Sequence, residues 1–368
     1  MSALRKIWKL CWQIGLCLVL LAWIFHSIFS NEGRAATANW SQLSRAEQWK
    51  IAWTVGPHEL WRTIALVHPG AFALSTTLAG LTVLLGVVRW RMVMGIQGLH
   101  LPLSRATGIT FVAQFFNSFL LGSTGGDLIK AYYAARETHH KKTESVVTVF
   151  VDRLIGLWSM LLFALLMMVP NFQLLFSHEN LGACALLILS LFAGCTAFLS
   201  VAFWGGLSRR FPKARAWLRK IPKGDLLERS FDSCRRFGSE RVFMLKAVAL
   251  SMAINALCVW QVITLANGLG LNISPVALFV IVPIISCISA LPITPSGLGV
   301  RENLFVLMLA APEIHVPATS ALSLSLLTYA TTLVWSLVGG AVYVGLKDKQ
   351  HLQEVTHAQN GAEIAQAD

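Results

Sequence analysis

The sequence predicts an all-α fold: a polytopic membrane helix bundle of about six full spans plus two inverted re-entrant half-helix hairpins, eight membrane segments in total. Three observations lead there. Of the 368 residues, 55% are hydrophobic and only 13% are charged, against roughly 25% in a typical soluble domain. Six apolar runs reach or approach the ~20 residues that cross a ~30 Å hydrocarbon core: Ile7–Phe29, Ala71–Val88, Val146–Val169, Leu181–Gly206, Ala247–Leu265 and Ala318–Leu346. Two further apolar stretches are broken by glycine or proline and then carry charge: FLLGSTGGDLIKAYY, Phe119–Tyr133, and LPITPSGLGVREN, Leu291–Asn303.

Residues 1–30 form the first predicted transmembrane helix. Arg5, Lys6 and Lys9 precede or open it, but its apolar core exceeds the ~7–15 residues of a cleaved signal, so an uncleaved span is expected. Residues 31–70 carry Trp40, Trp49, Trp53 and Trp61 and predict an exterior loop with an interfacial helix, because tryptophan favours the headgroup level. Residues 71–346 form the main transmembrane domain, interrupted by a basic loop over 207–246. Apolar residues recur there at helical spacing (Leu207, Phe211, Ala214, Leu218), which fits either a helix on an anionic leaflet or a solvated loop. Residues 347–368 are polar and predict a disordered cytoplasmic tail.

The formal net charge of +12 sets the topology. Between Ser208 and Lys246 stand twelve Lys or Arg against four acids, and short basic loops stay cytoplasmic. Re-entrant hairpins put 23 basic residues inside and four outside; full crossings give 19 and eight. The first layout obeys the rule better, with both termini at the cytoplasmic face of an inner cell membrane. Parity then sends the two hairpins in from opposite leaflets, a plan that places a transport site between inverted repeats.

Charges inside a bilayer are costly and mark pathways or binding sites. In the first stretch, Gln114, Asn117 and Ser118 share one helix face by their i, i+3, i+4 spacing. Ser123, Thr124, Gly125 and Gly126 break that helix, and a new half-helix starts near Asp127, with Lys130 on the same face. In the second, Pro292 and Pro295 break the helix, Ser296, Gly297 and Gly299 permit close approach, and Arg301 and Glu302 open the next half-helix. Helix N-termini of this kind favour anions. Asp152 and Arg153 sit inside VVTVFVDRLIGLWSM. As chain neighbours they face different ways, so Asp152 is expected to pair with Lys130 or Arg301, and Arg153 with Asp127 or Glu302. The six charges sum to zero, so ion pairs that only pin helices together are the competing reading.

No catalytic residue, metal or cofactor is expected. Six of the seven cysteines lie in apolar runs, with Cys234 in the basic loop, and none has metal-ligand spacing. The GSTGG string lacks the G-K-[ST] ending of a phosphate-binding loop. No nucleic-acid partner is expected; the partners are membrane lipids with an anionic headgroup, and an enzyme that supplies or consumes the lipid.

The runs FFNSFLLGSTGGDLIKAYYAAR, SVVTVFVDRLIGL and PITPSGLGVREN together resemble the lysylphosphatidylglycerol synthase transmembrane region, or flippase-like, family. The resemblance implies a multi-pass domain that moves a phospholipid or related amphiphile between leaflets, and carries over Asn117, Gly125, Gly126, Asp127, Asp152, Arg153, Gly297, Gly299, Arg301 and Glu302. Bifunctional members append a soluble aminoacyl-transfer domain. The tail after Leu346 is too short to hold one, so transport rather than synthesis is expected. Two alternatives stay open: a lipid-modifying transferase using Asp127, Asp152 or Glu302 as base with a partner domain, and an anion carrier.

Overall fold

The computed structural model describes residues 22–23, 25–30, 32–34, 36–37, 40–119, 125–138, 142–171, 179–203, 237–238, 240–291, 294–311 and 314–367. Among the described residues the chain is helical and has no strand. Among the described residues from Arg45 on, the α-helices in order are α1 (Arg45–Ala65), α2 (Pro69–Ile96), α3 (Leu103–Phe119), α4 (Gly125–Glu137), α5 (Lys142–Met168), α6 (Glu179–Phe203), α7 (Arg241–Gly268), α8 (Pro275–Ser289), α9 (Val300–Leu309) and α10 (Ala318–Ala367). Ser123, Thr124, most of the first apolar run and most of the basic loop lie outside the described residues.

Local sequence sets the boundaries. Ser44 and Glu47 form a reciprocal capping box at the start of α1, which satisfies two otherwise orphaned amides. Pro69 and Pro275 each sit in the first turn of their helix, where the missing N–H costs nothing.

Five helices are long and apolar enough to cross a membrane, over Pro69–Ile96, Thr143–Met168, Gly182–Ser200, Arg241–Gly268 and Ala318–Gly345. They correspond to five of the six apolar runs. The two broken stretches are built differently. α3, α4, α8 and α9 have 17, 13, 15 and 10 residues, so each is only about 15–25 Å long at 1.5 Å per residue.

The α3–α4 pair folds back on itself. Gly126, at the start of α4, lies against Ala113 and Asn117 near the end of α3, and Ala134 joins one apolar cluster with Ala106 and Ile109 near the start of α3. α10 runs antiparallel to α3. Ser118 meets Ser336 at 2.6 Å, and Gly339 lies so close to Phe111 that a Cβ there would sit 2.0 Å from its carbonyl oxygen. Ser336 is an interior residue of the apolar stretch Ala318–Gly345, so the tip of the first pair is level with the inside of a long apolar helix, not its end.

α2 and α7 form a second antiparallel pair. The His68 amide donates to the Gly268 carbonyl at 2.9 Å, and Ser75 donates to the Gln261 carbonyl at 3.3 Å. α8 and α9 pack on each other and close against α5 and α10, forming the largest apolar core.

The backbone of residues 347–367 continues α10 as helix. Residues 347–368 lack proline and are rich in Ala and Gln, good helix formers, and extending an existing helix avoids a new nucleation cost.

Candidate functional site

Two cavities lie beneath the helix breaks. One, of about 510 Å³, is walled by α2, α3, α4, α5 and α7 and includes Arg89, Asp127, Lys130, Asp152 and Arg153. The other, of about 360 Å³, includes Arg153, Ser286, Ser296, Arg301 and Tyr329. Both volumes fall in the range of ligand sites, about 300–1,000 Å³. The cavities share Gln114, Asn117, Arg153, Cys258, Gln261 and Thr332, so they meet at a common wall.

Asn117 holds that wall together. Its side-chain oxygen accepts the Gly126 amide at 2.8 Å, and its backbone carbonyl accepts the Ser296 hydroxyl at 2.7 Å. The two broken stretches therefore touch at their tips. Gly126 is required by proximity: a Cβ there would lie 2.0 Å from the Ala113 carbonyl oxygen. Ser296 has φ 54°, a left-handed conformation that costs a residue with a Cβ roughly 1–2 kcal/mol.

The charges pair partly as expected. Asp152 accepts from Arg89 at 2.8 Å through one oxygen and faces Lys130 at 3.7 Å through the other. Arg153 lies 3.5 Å from Asp127. Lys130 with Asp152, and Arg153 with Asp127, were among the sequence-based alternatives; Arg301 with Asp152, and Arg153 with Glu302, do not form. Glu302 instead turns back over the start of α9 and accepts the Gly299 amide at 2.6 Å. That brings its carboxylate to its own neighbour Arg301, whose Nε donates to it at 3.1 Å. The helix-end amides expected to face an anion are thus partly capped from within, by Asn117 on Gly126 and by Glu302 on Gly299.

Arg301 also stacks over Tyr329, 4.6 Å from the ring centre, and Lys130 lies 4.2 Å from the Trp90 ring centre. Gly125 is buried at the start of α4. Gly297 and Pro295 form the 3₁₀ turn before α9.

Arg89 was missed by sequence reading, which ended the second run at Val88 and counted Arg89 with the cytoplasmic charges. The signal was present: Trp90, Met92, Val93, Met94 and Ile96 continue the apolar character after it. Gly156, one turn beyond Asp152, leaves room for the Arg89 guanidinium; a Cβ there would approach Nη2 to 2.9 Å. With Arg89 included, four cations (Arg89, Lys130, Arg153, Arg301) face three carboxylates (Asp127, Asp152, Glu302) around the joined cavities.

Long apolar helices enclosing a charged, ligand-sized cavity define a multi-pass helical membrane protein with a polar interior site. The chain belongs to the lysylphosphatidylglycerol synthase TM region family, whose model matches residues 48–340. It is also similar to a UPF0104 membrane protein of Methanothermobacter thermautotrophicus, 24% identical over 321 residues, which covers 80% of this chain and 89% of that protein.

Proposed function

We propose that this chain is a lipid translocase that moves an anionic phospholipid or related amphiphile between leaflets. The observation that carries the reading is the pair of joined cavities under the two helix breaks, with more cations than carboxylates on their walls. Intramembrane cations in excess call for an anion.

In this reading α3–α4 and α8–α9 are re-entrant hairpins that dip from opposite leaflets. Their short lengths and the level of Ser118 beside Ser336 support it. The headgroup enters between the hairpins, binds Lys130, Arg153 or Arg301, and leaves to the other leaflet as the two halves rock. With Arg89 counted in the site, the balance of 22 basic residues against four supports an inner cell membrane with both termini cytoplasmic. An enzyme that makes or consumes the lipid is the expected partner.

Two carboxylates that a transferase could use as a base, Asp152 and Glu302, are tied up in ion pairs, which favours transport. The test is headgroup movement across reconstituted vesicles. Lys130→Ala and Arg301→Ala abolish it while yield is kept. Unchanged movement in both variants defeats the proposal, and solute uptake without lipid movement favours an anion carrier.

A further inference from the structure

Arg153 differs from the other three cations in ways that geometry makes plain. Arg89, Lys130 and Arg301 have side chains only 13%, 9% and 15% exposed, and each is committed to a buried carboxylate. The Arg153 side chain is 49% exposed, and its one ion-pair partner among the described residues, Asp127, lies 3.5 Å away. Of the four, Arg153 alone lines both cavities. A guanidinium offers five N–H donors in a planar fork that matches a tetrahedral oxyanion in bidentate fashion, and a single long contact to Asp127 leaves most of that fork unused.

We infer that Arg153 is the anion-binding residue shared by the two cavities, that Asp127 occupies it at rest, and that the ligand displacing Asp127 is the singly charged phosphodiester of a lipid headgroup. The lipid part rests on the translocase reading; the exchange rests on the geometry alone. Charge selects the class. Four cations against three carboxylates leave one positive charge, and a phosphodiester monoanion closes it. A phosphomonoester, at about −1.5 to −2 near neutral pH, overshoots into a net negative site, which a low-dielectric surrounding penalises. Asp127 opens α4 while Arg153 belongs to α5, so exchange removes one of the two ion pairs between the described residues of these helices, leaving Lys130 with Asp152, and couples occupancy to the hold of α5 on the first hairpin.

The test is a double-mutant cycle on the full chain in nanodiscs of phosphatidylcholine doped with phosphatidylglycerol, read as lipid retained in native mass spectrometry. Asp127→Asn removes the internal competitor and tightens phosphatidylglycerol binding about 5- to 10-fold. In an Arg153→Gln background the same change shifts binding less than about two-fold. Should Arg153→Gln fold poorly, Arg153→Lys replaces it, with a reduced Asp127→Asn effect. Phosphatidic acid binds at least about five-fold more weakly than phosphatidylglycerol, and chain-free glycerophosphoglycerol at least about ten-fold more weakly. An Asp127→Asn effect that is absent, or equal in both backgrounds, overturns the exchange. Equal or tighter phosphatidic acid overturns the charge class, and equal glycerophosphoglycerol overturns the lipid source. If wild type retains the binding cycle but moves no lipid across vesicles, the translocase reading falls and the Arg153 site stands.

Discussion

Ser296 donates its hydroxyl to the backbone carbonyl of Asn117 at 2.7 Å across 179 residues of chain, and this contact joins the tips of the two helix breaks. The same Asn117 takes the Gly126 amide on its side chain. One residue therefore closes the first hairpin and docks the second onto it. Asn117 lines both cavities.

Two substitutions at Ser296 separate hydrogen bonding from backbone strain. Ser296→Ala keeps the left-handed φ of 54° and loses the bond, so it destabilises by about 1 kcal/mol. Ser296→Gly loses the same bond but relieves the strain, and comes out close to wild type. Thermal unfolding in detergent measures both. A glycine variant as unstable as the alanine one contradicts the strain account.

Asp152 balances two cations, Arg89 and Lys130. Asp152→Asn leaves both facing each other in a buried site and costs about 3–5 kcal/mol. Adding Lys130→Met to Asp152→Asn removes one of the unpaired charges and recovers part of that loss. Denaturant titration of the purified variants decides, and a double variant no better than the single one refutes the shared-carboxylate account.

Gly156 faces the Arg89 guanidinium. Gly156→Val pushes Arg89 away from Asp152 without touching any charge. In the translocase reading the expected result is lipid movement reduced about ten-fold or more, since Asp152 loses its Arg89 partner and no longer fixes Lys130, the binding group on its other oxygen, with yield near wild type. Gly95, which has open space around it and lines neither cavity, serves as the control: Gly95→Ala leaves movement intact.

The capping box at α1 carries a pH signature. Hydrogen bonds from Ser44 hold the Glu47 carboxyl below its ordinary range. Stability from this cap is present above the unfolded carboxylate's pKa and is lost as pH falls through the lower folded value. Amide exchange at Glu47 and Gln48 accelerates on acidification beyond its intrinsic trend, and Ser44→Ala removes that pH dependence. Protection that is unchanged by acid argues against the cap.

The spans were legible because hydropathy adds locally: some twenty apolar residues suffice to name a crossing helix, wherever its neighbours stand. The second break was legible for the same reason, since Gly297 and Pro295 disrupt a helix through their own backbone chemistry. The paired charges at Asp152 with Lys130 and Arg153 with Asp127 were readable only as alternatives, because i and i+1 positions restrict facing without naming a partner. Only the folded chain decided that Arg89 joins the site, that Glu302 turns back to its own helix end, and that Asn117 bridges both hairpins. Each depends on the rotation and depth at which helices tens to hundreds of residues apart pack together, and a one-residue change of rotation, about 100° on a helix, would aim the same side chains elsewhere.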